Sequence, residues 1–424
     1  MEFQAASAKV DQTFRGSLRK SFSNKIRVLI LDLWCYVPYY DRYFCEGLLS
    51  VNVEPRLAAA SYYLDPGYFQ KHGIRNRPGV IDLAARIHLS NQHVRRSLMF
   101  VESCVNLIAL SVWIVFAEPH IIHIQWIPLV RRVPFDIWFI RFAKSRGIKI
   151  VYTVHNVLPH DTGDRFKNLY RNVYSQVDAL VCHNRQTKAR LESEFAVNPS
   201  RIWVIPHGPL FHDAEPTAES FTARPDVPRN KCIVLMQGML KPYKGVGFLL
   251  EAWHRLACQG VHAQLLIVGI ADSHFEEEIR SKIDRLKIRD SVTLNIRYVS
   301  DEELYSYYEA CDILVYPYQS ITASGALMTG LSFRKPTIVT RLPAFEEVFE
   351  DGKGASFVDF GDVEALALSL KQLIENPDQR KRLAEEGAQI LRQKYSWVSI
   401  GIQTKNCYLR VLENDRPTQQ QPRT

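Results

Sequence analysis

The sequence predicts an α/β protein with two Rossmann-like domains, each built around a doubly wound parallel sheet. Continuous runs of Val, Ile and Leu, such as the run at 25–33, are typical of parallel strands buried on both faces. These runs alternate with helix-like segments, and an aperiodic stretch rich in Pro, Glu, Asp and Thr at 209–230 divides them into two series. We therefore expect two domains with a cleft between them and ligands at the carboxyl ends of the strands.

The first series, 25–208, predicts the N-terminal domain. Its strand-like runs are separated by helical patterns, including one over 133–147 that ends at Gly147. The predicted strands lie at 25–33, 120–127, 148–156, 177–184 and 201–208. Residues 1–24 are sprinkled with Ser, Lys and Arg and lack the apolar run of a signal peptide, so we expect a disordered basic tail there.

The second series, 231–394, predicts the C-terminal domain, which follows the linker. Its strands are expected at 231–238, 263–269, 291–299 and 312–318. Ser300 followed by Glu303 has the spacing of a capping box and predicts a helix over 300–311. The end of the chain, 413–424, has the polar composition of a disordered tail.

Composition narrows the classes of partner. The chain of 424 residues carries a net charge of +8 and has a pI of about 9.0, which suits an anionic ligand or surface. The basic residues are dispersed and are not interleaved with aromatic side chains, so the sequence predicts no nucleic-acid partner. The eight cysteines form no C-x-x-C pair and lie mostly in apolar runs, which favours a reducing cytoplasm over export.

The apolar segment 98–117 has nearly membrane-spanning length. Glu102, Ser103 and Asn106 interrupt it, and a strand-like run follows at once. These features favour a buried or interfacial helix over a transmembrane span. Together with the positive charge, they support the hypothesis of a peripheral contact with the inner face of the cytoplasmic membrane.

Two turns in the second series have the features of phosphate sites. One follows the strand at 231–238 and places Lys241, Lys244 and Gly245 at the start of a helix. A cation beside a helix N-terminus suits a diphosphate, whereas a lone loop lysine is more often simply solvated. The other turn, at 320–326, crowds small and hydroxyl residues at a helix start and predicts either an anion site or a tight packing contact.

A polar loop follows the predicted strand at 148–156. His155, Asn156, His160 and Asp161 lie together in this loop. Such groups can contact sugar hydroxyls or move a proton, whereas a histidine taken alone is more often a structural group. The loop is therefore a candidate catalytic region, with a structural role as the alternative.

The sequence predicts no metal ion and no bound cofactor. His120 and His123 have the spacing nearest to a metal pair, but residues three apart in a strand face opposite sides of the sheet. The second series lacks a Walker A loop, and no G-x-S-x-G nucleophile elbow occurs in the chain. ATP hydrolysis of the Walker type and serine-hydrolase chemistry are therefore disfavoured.

Six motifs follow one another along the chain. They read VHN, IPHG, GMLKPYKGVGFLLEA, LLIVG, VSDEELYSYYEACDILVYP and GLSFRKPTIVT. In this order they resemble the nucleotide-sugar glycosyltransferases of the GT-B fold, a group with many bacterial mannosyl- and glucosyltransferases of polysaccharide and glycolipid synthesis. The resemblance extends from Lys25 to about Leu412 and is most specific between Gln237 and Arg341.

The resemblance implies that the second domain binds the nucleotide diphosphate and the first binds the acceptor. It also implies that a final helix, 395–412, packs back on the first domain. Lys244 matches the family's diphosphate lysine, and Lys241 is implied to replace the charge of an arginine whose position is Met239 here. The loop that cradles the diphosphate and sugar is matched by Thr322, Ala323, Ser324, Gly325 and Ala326.

Further site residues follow from the same resemblance. His155 matches a histidine that touches the donor sugar, and Arg297 and Tyr298 match the base-binding region. Typical retaining members carry two glutamates around the second turn, whose positions are Ile321 and Thr329 here. Thr329 then takes the place of the glutamate that holds the ribose hydroxyls.

Inversion and retention of the sugar's configuration both remain open. An inverting enzyme needs a base in the first domain to accept the acceptor's proton. The candidates for this base are His160, Asp161 and Asp41.

The function implied by the resemblance is metal-independent hexose transfer. The donor would be GDP-mannose or a UDP-sugar, and the acceptor a glycolipid or a growing polysaccharide. GDP-mannose is suggested by the exopolysaccharide-type subgroup that lacks the two glutamates. Two alternatives are a nucleotide-sugar epimerase of the same fold and a non-catalytic protein that acts as a partner in polysaccharide synthesis.

Overall fold

The computed structural model describes nine stretches of the chain, and it confirms the predicted α/β class. The described residues are 25–35, 37–60, 68–74, 80–87, 91–159, 163–210, 230–321, 324–349 and 353–413. They form two six-stranded sheets in which the strands run parallel. The predicted tails, 1–24 and 414–424, and nearly all of the predicted linker lie outside the described residues.

The first sheet has the strand order β2-β1-β3-β4-β5-β6. Its strands are β1 (Ile26–Asp32), β2 (Val53–Ala59), β3 (Ile121–Ile124), β4 (Lys149–Val154), β5 (Ala179–Cys182) and β6 (Ile202–Val204). The helices of this half are α1 (Pro38–Ser50), α2 (Tyr68–Lys71), α3 (Leu83–Arg86), α4 (Gln92–Ala117), α5 (Phe135–Ser145), α6 (Lys167–Gln176) and α7 (Arg185–Phe195). The sequence analysis missed β2 because Pro55 interrupts its apolar run, and proline is tolerated there since β2 lies at the sheet edge.

The second sheet has the strand order β12-β11-β10-β7-β8-β9. Its strands are β7 (Cys232–Gln237), β8 (Ala263–Gly269), β9 (Val292–Ile296), β10 (Ile313–Tyr316), β11 (Thr337–Thr340) and β12 (Ser356–Val358). The helices are α8 (Val246–Cys258), α9 (Ser273–Leu286), α10 (Asp301–Ala310), α11 (Gly325–Ser332), α12 (Pro343–Glu346), α13 (Val363–Glu375), α14 (Pro377–Ile390) and α15 (Trp397–Glu413). The predicted cap at Ser300 is confirmed, because its hydroxyl accepts a hydrogen bond from the Glu303 N–H.

The described chain forms two compact units. One contains the chain up to Val181 together with the part of α15 from Gly401 onward, and the other runs from Cys182 to Ile400. Within the first unit, the Tyr408 hydroxyl lies 2.6 Å from His123 Nδ1, so α15 is tied to the middle of the first sheet. The domain boundary that the sequence places in the linker stays a prediction.

Each sheet has one point at which the strand order reverses direction. In the first sheet this switch point lies between β1 and β3, and in the second it lies between β7 and β10. Ligands of open α/β sheets bind at such points, outside the carboxyl ends of the strands, because the loops diverge there and leave a crevice. The side chains that follow these four strands are therefore the first candidates for function.

Candidate functional site

The switch point of the second sheet is lined by backbone that leaves no room for side chains. Gly238 follows β7 with φ +136°, and a Cβ there would lie 2.8 Å from the Lys244 nitrogen. Gly245 has φ +72°, and a Cβ there would overlap the carbonyl oxygen of Pro317, which follows β10. A Cβ on Gly269, at the end of β8, would overlap the Gly238 carbonyl. Three strand ends therefore meet at backbone distance around one lysine.

Lys244 is the half-buried cation at this switch point. It ends a short 3₁₀ turn, Pro242–Lys244, just before α8, and its nitrogen lies 5.1 Å from the centre of the Tyr318 ring. Burial lowers the pKa of Lys244 to about 8, because the charged ammonium loses solvation. A partly desolvated cation beside a helix start attracts an anion that restores its lost solvation.

The start of α11 is held against the same strand ends. The Tyr316 hydroxyl donates to the Ala326 carbonyl at 2.9 Å, and Tyr308 donates to Gln237 Oε1 at 2.9 Å. Ser324 caps the helix, with its hydroxyl accepting from the Leu327 N–H at 3.2 Å. The predicted loop residues Ser324, Gly325 and Ala326 therefore lie close to the carboxyl edge of the second sheet, while Thr322 and Ala323 lie outside the described residues.

Two histidines lie beside the start of α11 within the second unit. A Cβ on Gly325 would lie 3.7 Å from His207 Cε1, and the His207 and His183 rings are 5.5 Å apart. Burial lowers the pKa of His183 to about 4 and that of His207 to about 3, so both rings are neutral at pH 7. A cavity of about 30 Å³ between them, Ser324 and Glu347 has room for about one water molecule.

The other donor-side candidates are less enclosed. Lys241 lies 3.3 Å from Asp272 Oδ2, so its charge is partly compensated on the surface. Arg297 is paired with Glu303, and Tyr298 is strongly exposed.

Thr329 differs from the other predicted nucleoside residues. It is only 3% exposed and lies on the buried side of α11. The predicted nucleoside-binding roles of Arg297, Tyr298 and Thr329 stay predictions.

The switch point of the first sheet carries a second set of polar groups. His155 follows β4, and its Nε2 lies 3.2 Å from Oε1 of Gln125, which follows β3. The Tyr40 ring packs edge-on against the His155 ring, with centroids 5.1 Å apart. Within the described part of the chain, Gln125 Nε2 is buried and has no hydrogen-bond partner. His155 and Gln125 therefore form a polar edge with one unsatisfied donor.

Asp41 is more deeply buried than His155, the other predicted catalytic group among the described residues. It is 1% exposed, and the Cys35 thiol donates to its Oδ2 at 3.0 Å. Burial raises the pKa of Asp41 to about 7 and also raises the pKa values of Asp32 and Cys35.

Asp32, Cys35 and Asp41 lie close enough together to be considered as metal ligands. Their ligand atoms all lie within 4.8 Å of one another. Burial favours the protonated forms of these groups, whereas a bound cation would favour the deprotonated forms. A hydrogen-bonded cluster explains their proximity without a metal ion. The prediction of a metal-free site is untested.

The structure places some of the predicted residues at the same sheet edge and others on different sheets. Lys244, Gly245 and Ser324 lie at the carboxyl edge of the second sheet, and His155 and Asp41 at that of the first. His160 and Asp161 lie outside the described residues.

Three site residues were missed by the sequence analysis. Asp32, Gln125 and Tyr318 each stand at or just beyond the carboxyl end of a strand. Applying the strand-end rule to β1, β3 and β10 as it was applied to β4 would have found them.

Two family matches divide the chain between them. The family described as Glycosyltransferase Family 4 matches residues 42–208, and the family described as Glycosyl transferases group 1 matches residues 219–390. The second match contains Lys244, Gly245 and α11, and the first contains His155 but begins one residue after Asp41.

Several characterised proteins have similar sequences. An MMP alpha-(1->4)-mannosyltransferase of Mycolicibacterium hassiacum is 27% identical over 252 residues, which are 58% of this chain and 57% of the relative. A GDP-mannose:glycolipid 4-beta-D-mannosyltransferase of Xanthomonas campestris pv. campestris is 28% identical over 274 residues, which are 63% of this chain and 70% of the relative. The match to the first relative thus spans little more than half of its length.

Solved structures share the fold. A glycosyltransferase from Rickettsia africae superposes with a TM-score of 0.68 at 18% identity, covering 92% of this chain and 100% of that one. Anabaena HepE in complex with UDP and glucose superposes with a TM-score of 0.67 at 14% identity, covering 90% of this chain and 98% of that one. With the family matches on both halves and the two parallel sheets, these results show that the chain belongs to the nucleotide-sugar glycosyltransferases of the GT-B fold, which is an enzyme family.

Proposed function

We propose that this protein transfers a hexose from a nucleotide diphosphate sugar to a hydroxyl group of a glycolipid or polysaccharide acceptor. The observation that carries the proposal is the half-buried Lys244 at a helix start, enclosed by glycine backbone at the switch point of the second sheet. The mannosyltransferase relatives support GDP-mannose as the first donor to test, and the UDP complex of HepE supports UDP-sugars as the second.

The transfer step places negative charge on the leaving diphosphate. The acceptor oxygen forms a bond to the sugar's anomeric carbon, the bond from that carbon to the diphosphate oxygen breaks, and the diphosphate keeps the electron pair. Lys244 and the N–H groups at the start of α11 would stabilise this charge as it develops. The acceptor hydroxyl's proton passes to a base of the first unit or to the leaving diphosphate.

His155 is our preferred residue for contact with the transferred sugar. It lies at the carboxyl edge of the first sheet beside Gln125, whose buried Nε2 would gain a partner from a ligand hydroxyl. Asp41 is as deeply buried as Gln125, its Oδ2 accepts a hydrogen bond from Cys35, and it stays a candidate for the base. His160 and Asp161 remain candidates for the base.

The cytoplasm is the compartment that fits this activity. All eight cysteines are free thiols, and five of them are buried. Free thiols persist in reducing compartments, and the nucleotide-sugar co-substrate would be drawn from the same compartment. The reaction as written needs no bound cofactor.

A thermal-shift panel tests the donor site. The purified chain is heated with GDP, UDP, ADP and their hexose derivatives in the absence of metal. A ligand that binds only the folded protein raises the melting temperature by mass action, so one nucleotide class is expected to give a clear shift. Lys244→Ala is expected to lose the shift, while Lys371→Ala on α13 keeps it.

The same panel separates the alternatives. No shift with any nucleotide would contradict the donor site and favour a non-catalytic partner protein. Conversion of the sugar of the bound donor into an isomer, with no acceptor added, would instead identify an epimerase. Transfer of labelled hexose to a lipid or polysaccharide extract by the wild-type chain, lost in Lys244→Ala, is the outcome that our proposal requires.

A further inference from the structure

Helix α4 of the first unit exposes a long apolar face. It has 26 residues and is therefore about 39 Å long. From Val101 to its C-terminal end, its exposed side chains recur at helical spacing and are all aliphatic or aromatic: Val101, Val105, Ile108, Val112 and Phe116. Nearer its N-terminus the exposed residues are mixed, with His93, Arg96 and Ser97 beside Val94. Val112 is 58% exposed and Phe116 is 83% exposed. Contiguous exposed apolar patches of this kind mark an interaction site.

The opposite face of α4 holds the helix on the first unit. Asn106 exchanges two hydrogen bonds with the Ile81 backbone, at 2.7 and 2.9 Å. Glu102 accepts from the Ala84 N–H at 2.8 Å, and Ser103 accepts from the Trp34 indole at 2.8 Å. By length and composition α4 passes as a membrane span, but crossing a bilayer would break these bonds and expose their polar groups to hydrocarbon.

Arginines border the apolar face on both sides. The Arg132 guanidinium lies 5.8 Å from the centre of the Phe100 ring on one side of the helix. The Arg56 guanidinium lies 5.9 Å from the centre of the Trp113 ring on the other. An apolar strip flanked by arginine and aromatic side chains complements a bilayer surface, where acyl chains lie beneath anionic headgroups.

We propose that the outer face of α4 lies in the interfacial layer of a membrane that contains anionic lipids. The membrane contact rests on the proposed function, because it would serve transfer of the sugar to a lipid-linked acceptor. Since α4 is followed within four residues by β3, its C-terminal end lies at the amino edge of the first sheet and its N-terminal part runs toward the carboxyl edge. Docking of α4 would thus bring a lipid-linked acceptor to the edge that carries Gln125 and His155.

Sedimentation of the full chain with lipid vesicles tests the surface. Vesicles of phosphatidylcholine are compared with vesicles that contain phosphatidylglycerol as well, and we expect binding to the anionic vesicles that weakens with added salt. The double variant Val105→Glu/Val112→Glu is expected to bind at least about tenfold more weakly. Leu368→Glu on α13 is the matched control, because Leu368 is 57% exposed in the second unit.

A second double variant tests how the arginine charges contribute to vesicle binding. Arg56→Glu/Arg132→Glu reverses the two charges that lie over Trp113 and Phe100 and is expected to remove the preference for anionic vesicles. Circular-dichroism melting of each variant verifies that it is folded.

Two results would overturn the proposal. One is equal binding of the wild-type chain and the Val105→Glu/Val112→Glu variant to anionic vesicles, or binding by neither. The other is a concentration-dependent dimer that this variant converts to monomer, which would assign the face to a second copy of the chain. The nucleotide shift of the melting temperature is measured on the same variant, so failure of the donor site and failure of the membrane surface are seen separately.

Discussion

Lys244 and Tyr318 meet at the switch point of the second sheet, where the lysine nitrogen lies 5.1 Å from the centre of the phenol ring. The ring supplies a weak attraction for the cation but no full negative charge. Burial outweighs that attraction and lowers the lysine's pKa to about 8. The site is thus a cation held partly desolvated, close to the point where it can lose its proton.

Diphosphate binding should therefore weaken as the pH becomes alkaline. The protonated ammonium that binds the anion is almost fully present below about pH 7, about half present near pH 8, and lost as the pH rises further. We expect the affinity for GDP or UDP to fall roughly twentyfold between about pH 7.5 and about pH 9.5. Calorimetric titration measures the affinity at each pH. Lys244→Arg is the control, because its side chain stays charged over this range and any change in its affinity reports ionisation of the ligand alone. An equal fall in both proteins would contradict the assignment.

Replacing Gly245 by alanine should destabilise the fold more than the same replacement at a glycine that has a similar backbone angle but open surroundings. Gly245 and Gly260 have φ +72° and +69°, but only Gly245 has backbone atoms in the Cβ position, since nothing lies within 4 Å of that position at Gly260. Gly260→Ala is expected to cost about 1 kcal/mol of stability for the left-handed conformation. Gly245→Ala should cost at least about 2 kcal/mol more, from overlap with Pro317. Denaturant unfolding measures both, and equal losses would refute the tight approach of these loops.

Asp136 should make the stability of the first unit depend on pH. It accepts a hydrogen bond from the Leu129 N–H at 2.8 Å, and burial raises its pKa to about 7. The folded state therefore holds a proton that the unfolded chain releases near pH 4, and this stabilisation is full below pH 4 and lost as the pH rises through 7.

Asp136→Asn mimics the protonated acid and removes that dependence. The variant should match the wild type near pH 4 and exceed its stability by up to about 4 kcal/mol above pH 7. Chemical unfolding at several pH values follows the difference between the two proteins, so other titrating groups cancel. A difference that does not change with pH would show that Asp136 is ionised in the folded state.

Removal of the charge of Asp272 should strengthen diphosphate binding if Lys241 takes part in it. The Asp272 side chain caps α9 and also lies 3.3 Å from the Lys241 nitrogen. Asn keeps the cap but releases the lysine, so Asp272→Asn is expected to raise affinity about two- to fivefold, in line with an exposed ion pair. If neither Asp272→Asn nor Lys241→Ala changes the affinity for the diphosphate, Lys241 is excluded from the site.

The fold class and most strand positions follow from the amino-acid sequence alone, and the sequence also predicts a phosphate site at the turn after β7. Strands buried on both faces carry continuous apolar runs, and helix starts carry caps such as Ser300, so local composition reveals both. Lys244 and Gly245 stand out for the same reason, since a glycine and a cation directly after a strand can be recognised from a few neighbouring positions.

The tertiary structure alone decided which of these groups meet and in what state of ionisation. Tyr318 is more than seventy positions from Lys244 in the chain and reaches it only because β10 pairs with β7. The burial that raises the pKa of Asp41 and lowers that of Lys244 depends on packing by distant segments. The sequence left open whether α4 is buried or interfacial, because an apolar helix has the same composition whether its second face packs on a core or meets solvent.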